Sequence, residues 1–425
     1  NQDQENFNIN QDRNIKTDKV EGKLDYYFIL SPKSNFNLTL GVTDVRQDFD
    51  SSIFQILDNN TKQNFNDNNL GNRVNFKFQD AYAALHYRFI KGIFTFDPGI
   101  TLHYYNTTTD QVNGIVSDSY SFFRPDFRVL LKLKESETLR LVFRSTRQFT
   151  DINNLAEGFI FRNYNSFFRG NPNLEAALFN VVNLNYQSIN IFNFTNIFAN
   201  LSYSRRDNAI QNTTAVQGIN SVRSATNSDF PRYTYTASGR IDKRFKNFKG
   251  GLNINFNYSD FNNVINDNPT ESVNFNQRYS ANIATNFRDK PNLEVGYTYN
   301  VRDYTNGDFK SKFFTNSPYA RFDAYFLDGF IFEAKYTYNY YRNEIQTLNE
   351  YRFLEAELSH TKKGSKWEFG IAATNILNDT EINRDSFNQF SVTTNSYIIQ
   401  PRYVVFKITY DLTTFAGGGT GKNRK

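Results

Sequence analysis

The residue types that most often carry chemistry are few or poorly placed in this 425-residue chain. Its three histidines, His86, His103 and His360, lie in separate segments without the spacing of metal ligands. It contains no cysteine, which excludes disulfides and thiolate metal sites. Serines are plentiful, but none stands in a nucleophile motif such as G-x-S-x-G, and the glycine-rich run at 417–421 lacks the flanking elements of a phosphate-binding loop. The sequence therefore predicts no enzyme, no cofactor and no metal site.

Composition narrows the class of protein further. The formal net charge is +5, but the 48 basic residues are scattered among 43 acidic ones, which disfavours a nucleic-acid-binding surface. Aromatic residues reach 17%, far more than a disordered chain carries. The mean hydropathy is −0.63, and no run approaches the ~18 apolar residues of a transmembrane helix. A polar average with many aromatics is typical of alternating strands whose outer face meets lipid.

Strands in which apolar and polar residues alternate are the elements that must position any functional side chains. In the last clear strand, predicted over 402–412, every even position from 404 onward is apolar or aromatic, while Lys407, Thr409 and Asp411 are polar. Successive side chains of a strand point to opposite faces, so this pattern predicts one apolar and one polar face. Five further copies are equally clean, at 36–43, 94–104, 252–259, 293–300 and 332–340.

The connections between these strands alternate in length. Short turns rich in hairpin residues are predicted at 31–34, 91–92, 135–137, 188–190, 246–247, 288–291, 328–329 and 361–365. Longer polar loops are predicted between the hairpins, for example at 49–73, 106–119, 149–173 and 379–395. Short turns at one end and long loops at the other are typical of outer-membrane β-barrels. Loops also carry binding functions, so the phenylalanine-rich stretch 159–168 is either a ligand-capturing lip or a self-packing loop.

Aromatic residues at both ends of the apolar face distinguish a membrane barrel from a soluble sandwich. The apolar face drifts to tyrosine at the long-loop end, as at Tyr104, Tyr258 and Tyr336, and Trp367 follows a short turn at the other end. Such girdles mark membrane interfaces. Prolines at 125, 318 and 401 are predicted at strand starts, and Pro98, inside a strand, predicts a β-bulge.

Charged residues on the polar face would point into the barrel. This set comprises Arg140, Arg144, Glu294, Glu333, Lys335, Glu355, Glu357 and Lys407. A solvated wall or contacts with a plug explain most of them, and contacts with a substrate would explain the rest.

Two strands for each of eight turns, plus the final strand, give seventeen strands. A single-chain bacterial barrel normally has an even number of strands and starts in the periplasm. An odd count therefore predicts at least one strand upstream of Asn1 and a periplasmic C-terminus. The predicted regions are an extracellular loop segment at 1–18, the transmembrane antiparallel β-barrel at 19–412 and a flexible periplasmic tail at 413–425.

Short motifs suggest a family. Gly170, Asn171, Pro172 and Leu174, preceded by the segment 144–147 and a loop, resemble the G-N-P-x-L element of TonB-dependent receptors. More narrowly, the run resembles their outer-membrane β-barrel branch, which is common in Gram-negative bacteria. Asn375 and Asn378, a loop and the last strand resemble the closing elements of that family. The closing strand is carried by Arg402, Tyr403, Phe406, Tyr410 and Leu412.

The resemblance implies a barrel of about 22 strands, of which this chain supplies about seventeen. It also implies an N-terminal plug and the import of a scarce ligand with energy from an inner-membrane TonB complex. The implied partners are outer-membrane lipid, the upstream strands and plug, the TonB complex, and a surface lipoprotein or other outer-membrane subunits. Two alternatives are a structural barrel subunit of a larger outer-membrane complex and a passive porin.

Overall fold

The computed structural model describes residues 8–65, 70–163, 165–288, 290–379, 381–387 and 392–412. The predicted tail at 413–425 lies outside these residues. No helix within these ranges is long and apolar enough to cross a membrane. The elements are β1 (Ile9–Ser31), β2 (Ser34–Ile56), β3 (Lys62–Asn64), β4 (Asn72–Lys91), β5 (Phe94–Gln111), β6 (Gly114–Lys134), β7 (Glu137–Gln148), α1 (Ile152–Leu155), β8 (Ile160–Asn163), β9 (Ser166–Arg169), β10 (Ala177–Asn190), β11 (Thr195–Asp207), β12 (Ile210–Gln217), β13 (Asn220–Asn227), β14 (Arg232–Phe245), β15 (Phe248–Ile265), β16 (Asn268–Thr285), β17 (Asn292–Asn306), β18 (Phe309–Phe326), β19 (Phe330–Asn343), β20 (Thr347–Thr361), β21 (Trp367–Thr374), β22 (Glu381–Phe387), β23 (Val392–Ile398) and β24 (Tyr403–Tyr410).

Seventeen of these strands form one antiparallel meander in which each long strand pairs with the next. In order they are β1, β2, β4, β5, β6, β7, β10, β11, β14, β15, β16, β17, β18, β19, β20, β21 and β24. The predicted all-β antiparallel class and the predicted count of seventeen are both confirmed. Among the described residues, β1 and β24 do not pair with each other, so the sheet has two edges.

The other seven strands lie in the connections between the long ones. β8 and β9 form a hairpin, as do β12 and β13. β9 pairs in parallel with β13, and β12 pairs in parallel with the end of β15. β22 and β23 form a separate two-stranded sheet.

The two faces of the meander differ in exposure. In β2, Leu40 and Val42 are 46% and 59% exposed, whereas Thr39 between neighbouring apolar positions is 6% exposed. In β5, Leu102 is 52% exposed and Thr101 only 1%. A soluble sandwich buries its apolar face. Here the apolar face is the exposed one, which is the arrangement of strands whose outer side chains meet lipid.

All eight predicted short turns are present, with one displaced. The predicted turn at 188–190 instead occupies 191–194, because β10 continues to Asn190. There the Asn190 side-chain oxygen accepts hydrogen bonds from the backbone N–H groups of Phe192 and Asn193, each at 3.0 Å. An asparagine can hold a turn that follows it in this way, so the turn begins one residue beyond it.

Several long loops were predicted too long. The predicted loop 106–119 is wrong, since β5 and β6 continue in register until only Val112 and Asn113 separate them. The predicted loop segment 1–18 is also wrong from residue 9 onward, because β1 pairs with β2 from Ile9 opposite Gln55. Polar residues can continue a ladder beyond the membrane, where both faces meet water, so apolar alternation underestimates strand length.

Each proline inside a strand interrupts the pairing with one neighbouring strand without changing the register. The predicted bulge at Pro98 is wrong, because the β4–β5 ladder only skips Asp97 and Pro98 and resumes in the same register. Pro318 leaves a similar gap between β18 and β19, and the β6–β7 ladder begins immediately after Pro125. Both prolines therefore lie inside longer strands rather than at their starts. Each proline pairs on its other side, because only one ladder needs the missing N–H.

Candidate functional site: a capped sector and an open groove on the polar face

The main hydrophobic cluster lies on the polar face, at the long-loop end of β2 and β4. Phe49, Val74 and Phe76 of these strands are 0%, 1% and 9% exposed. They share a face with Thr39 and Ala84 by the register of the ladder. The residues packed onto them come mainly from the connection between β7 and β10: Ile152, Leu155, Ala156, Ile160 and Phe168, with Ala225 from β13.

We call residues 149–176 the cap segment and the polar faces of β2, β4, β5 and β6 the capped sector. The cap segment contains α1, whose first turn is capped by the Asp151 carboxylate, which accepts from the Asn153 N–H at 2.9 Å. Phe149 packs against Phe78 and Tyr105, with ring centroids 4.6 and 5.1 Å apart. The cap segment therefore lies over the inner side of the capped sector.

Three amide side chains of the wall tie down the backbone of the cap segment. Gln11 donates to the Phe159 carbonyl and accepts from the Phe161 N–H, both at 3.0 Å. Gln111 makes the same pair of bonds, to the Leu155 carbonyl at 2.9 Å and from the Glu157 N–H at 3.1 Å. The Asn72 side-chain oxygen accepts from the Gly158 N–H at 2.7 Å. These contacts satisfy backbone groups that a buried loop would otherwise leave unpaired.

The predicted motif at 170–174 closes the cap segment. The N–H groups of Gly170 and Asn171 donate to the carbonyls of Ala156 and Asn154, each at 2.7 Å. A Cβ on Gly170 would lie 2.5 Å from the Asn154 carbonyl oxygen, so only glycine allows this approach. The Asn171 side chain accepts from the Asn173 N–H, Pro172 lies in the turn between them, and Leu174 packs against the cluster.

The second predicted motif connects β21 to β24 and is separate from the cap segment in the chain. Asn375, 1% exposed, donates to the carbonyls of Asp379 and Gln400 at 2.7 and 3.1 Å. The Asn378 side chain accepts from the Arg402 N–H at 3.0 Å. Both asparagines have positive φ angles, 52° and 62°, which asparagine tolerates better than most residues.

The closing strand is shorter than predicted. It runs from Tyr403 to Tyr410, with Arg402 at the preceding bend and Leu412 beyond its end, and Phe406 is 78% exposed on it. Tyr410 pairs with Trp367, and their rings lie 4.6 Å apart at the short-turn end.

The histidines do not form a common site. His103 Nδ1 lies 2.9 Å from an Asp80 carboxylate oxygen, and His86 Nε2 lies 3.1 Å from Asp126. His360 stacks on Phe330 with ring centroids 4.3 Å apart. In the part of the chain that the structure describes, no three potential ligands gather around a metal position.

Rings lie directly over glycines at three places on the polar face. A Cβ on Gly41 would lie 2.2 Å from the Tyr82 ring, and one on Gly99 would lie 2.0 Å from the His86 ring. A Cβ on Gly296 would lie 2.3 Å from the ring of Tyr319, whose hydroxyl donates to Glu294 at 2.8 Å. Each glycine leaves room for a ring from the neighbouring strand.

The predicted inward charges do share the polar face, and several are paired. Lys407 contacts Glu357 at 2.6 Å, and Arg321 contacts Glu333 at 3.4 Å. Lys335 and Glu355 lie directly opposite each other on β19 and β20. Arg140 and Arg144 lie four residues apart on the same face of β7, and both are exposed. Pairing in the wall accounts for much of this set.

A second feature of the polar face had not been singled out from the sequence. Between β15 and β20 lies an open groove of about 710 Å³. We call it the amide groove, because asparagines from five strands line it together with two arginines: Asn255, Asn257, Asn276, Arg278, Asn300, Arg302, Asn339 and Asn349. The alternation places these residues on the polar face, but their convergence depends on the register between strands.

Sequence comparison identifies the family to which the chain belongs. The profile of the Outer membrane protein beta-barrel family matches residues 1–410. The chain belongs to this family. Membership assigns the exposed apolar face to outer-membrane lipid and the polar face to the lumen of the barrel.

By their titles, three known structures to which the chain is similar are one transporter and two receptors. The copper transporter OprC is 9% identical, with 93% of this chain and 74% of that chain covered at a TM-score of 0.46. The siderophore receptor PirA from Pseudomonas aeruginosa is 9% identical over 94% and 71%, at 0.43. BauA, the ferric preacinetobactin receptor from Acinetobacter baumannii, is 11% identical over 94% and 63%, at 0.45. No curated protein matches the chain.

Proposed function

We propose that this chain forms the barrel wall of a TonB-dependent transporter that imports a scarce ligand through its lumen. The observation that carries the proposal is the polar face itself, which combines a capped sector with a wide polar groove. A cap segment anchored on the inner wall narrows the lumen, as a selective transporter requires. The likeness of residues 170–174 to the G-N-P-x-L element supports the same family of receptors.

The two edges of the meander support a larger barrel than the seventeen strands alone. Unpaired backbone groups within lipid cost several kcal/mol each, so barrels close. We infer that about five upstream strands lie between β24 and β1 and complete a 22-stranded barrel. Such a barrel would enclose a plug and place the C-terminus in the periplasm, beside the TonB complex.

The capped sector argues against a passive porin, whose lumen remains open to small solutes. The experiment uses the full-length protein in liposomes, with swelling in stachyose, a neutral tetrasaccharide, as the measure of leakage. We expect no swelling above that of empty liposomes. Swelling as fast as with a general porin would overturn the proposal in favour of passive diffusion.

Energy coupling is tested by binding to the periplasmic domain of TonB. We expect the full-length protein in mild detergent to be retained on the immobilised domain, and a control barrel without coupling to pass through. Absence of both leakage and retention would instead support a structural subunit. Co-purification of a surface lipoprotein or another outer-membrane subunit would then identify the complex.

A further inference from the structure

The amide groove is an ordered array rather than a random set of polar residues. Asn276 lies opposite Arg302, and Arg278 lies opposite Asn300, on β16 and β17. Asn255 continues the row from Arg278 onto β15. Side chains directly opposite each other in a sheet are about 5 Å apart at Cβ. The two arginines are therefore diagonal neighbours surrounded by amides on both sides.

Within the described ranges, these two arginines have no carboxylate partner, unlike Arg240 and Arg321 of the same face. Arg321 is paired with Glu333, and Arg240, on β14, contacts Asp242 at 2.6 Å. Among the described residues, no carboxylate forms an ion pair with Arg278 or Arg302. Arg302 donates to the Asn276 side-chain oxygen at 3.1 Å, and both arginines are exposed to the lumen. A guanidinium presents a rigid fork that matches a carboxylate on a ligand.

The remaining lining suits hydroxyl groups. Each asparagine offers donors and an acceptor, so a row of them can bind neighbouring hydroxyls of a sugar ring. Tyr341, which stacks on the buried ring of Phe313 with centroids 5.9 Å apart, lies at one end of the groove. The negative face of an aromatic ring attracts the polarised C–H bonds of a pyranose face. Ile382 of β22 also lines the groove and brings the last long connection over it.

An extended peptide fits this wall less well. Peptides often bind by adding a strand to a free sheet edge. The strands β15 to β20 are paired on both sides, so their backbone groups are already used. A ligand must therefore bind through side chains alone, and those side chains are amides, guanidinium groups and rings.

We propose that the amide groove binds an acidic oligosaccharide, with Arg278 and Arg302 on its carboxylates and the asparagines on its hydroxyls. The inference names the ligand class for the transport function proposed above and rests on it for its biological use. Its test measures binding to the purified protein without TonB, so the two proposals can fail separately.

The experiment is calorimetric titration of the full-length protein in mild detergent with trigalacturonate, and with maltotriose and citrate as comparisons. We expect trigalacturonate to bind more tightly than maltotriose, which has no carboxylate, and more tightly than citrate, which has no sugar ring. The double variant Arg278→Gln/Arg302→Gln should weaken trigalacturonate binding by roughly tenfold or more, since hydrogen bonds to charged groups are the strong ones. The matching double substitution to lysine should retain part of the affinity, because it keeps the charge but loses the fork.

The matched control is Arg240→Gln, which removes a guanidinium already paired with Asp242 on the same face. It should bind trigalacturonate as the unmodified protein does. Three results would overturn the inference: no binding of trigalacturonate, equal binding after the double substitution to glutamine, or citrate binding as tight as that of trigalacturonate. Unchanged heat-modifiable gel mobility of every variant ensures that a loss of binding is not a loss of folding.

Discussion

The capped sector and the amide groove are parts of the same wall, built from the same kind of alternating strand, yet one is covered and the other is open. In the capped sector, Phe49, Val74 and Phe76 are apolar on the polar face and bury the cap segment. In the amide groove, the corresponding long-loop ends of the strands carry polar residues such as Asn300 and Arg302. Whether a part of the wall is covered therefore depends on where the alternation of apolar and polar residues along its strands is reversed.

The inversion has a simple physical meaning. At the long-loop end of β4, Val74 and Phe76 face inward, while Arg73 and Asn75 face outward. This is the reverse of the pattern within the lipid, where apolar residues face outward. A strand that has left the membrane meets water outside and can form a core inside. Inverted alternation thus marks a wall segment that supports a cap.

The largest expected effect is on the capped sector. Phe168→Ala removes a ring that is 2% exposed in the cluster, and we expect the docking of the cap segment to lose about 3–5 kcal/mol. Hydrogen exchange across residues 149–176 should accelerate while the long strands stay protected. Phe192→Ala is the control, because this ring is 90% exposed in a turn. It should change neither the exchange of the cap segment nor that of the long strands. Unchanged protection in Phe168→Ala would show that the cap does not depend on this core.

The second expected effect is a difference between substitutions on the two faces of β15, at the amide groove. Phe256→Arg places a charge on the lipid side of β15 and should cost about 2–4 kcal/mol of folding free energy. Asn257→Arg, one residue later on the lumen side, should be tolerated, as should Glu333→Gln and Lys335→Gln. Urea titration followed by heat-modifiable gel mobility measures this difference. Equal effects at residues 256 and 257 would reverse the assignment of the faces.

Sequence alone predicted much of the barrel wall but little of what lies on it. The count of seventeen strands followed from turn residues and alternation, because both are local signals. The cap segment depends on contacts such as Gln11 with Phe159, which are 148 residues apart in sequence. The inverted alternation at Val74 and Phe76 could have indicated from the sequence which part of the wall the cap segment covers. The amide groove could not be found without strand register, since its residues come from separate strands.

A smaller effect should be common to both sectors. Gly99→Val in the capped sector and Gly296→Val beside the amide groove both force a ring off its glycine, and each should cost about 1–3 kcal/mol. Gly239→Val, where a Cβ would meet open space, should be neutral. Thermal unfolding in detergent compares the three. A neutral result at residues 99 and 296 would mean that the rings move aside freely.

The smallest effect concerns exposed charge at the short-turn end. Lys407→Gln removes the ion pair between Lys407 and Glu357, whose side chains are 46% and 32% exposed. The substitution should lower the free energy of unfolding by only about 0–1 kcal/mol. Asp80→Asn in the capped sector should cost more, because the Asp80 and His103 side chains are only 12% and 7% exposed. Urea midpoints of the two variants provide the comparison. The opposite order would contradict the distinction between a buried and a solvated wall.

The rings that lie over glycines affect how far the polar face projects into the lumen. Tyr82, His86 and Tyr319 lie back against the wall, because Gly41, Gly99 and Gly296 leave space for their rings. A methyl group at one of these glycines would turn a ring into the passage and reduce its cross-section without changing the number of strands. The three glycines therefore determine how much of the lumen each of these rings occupies.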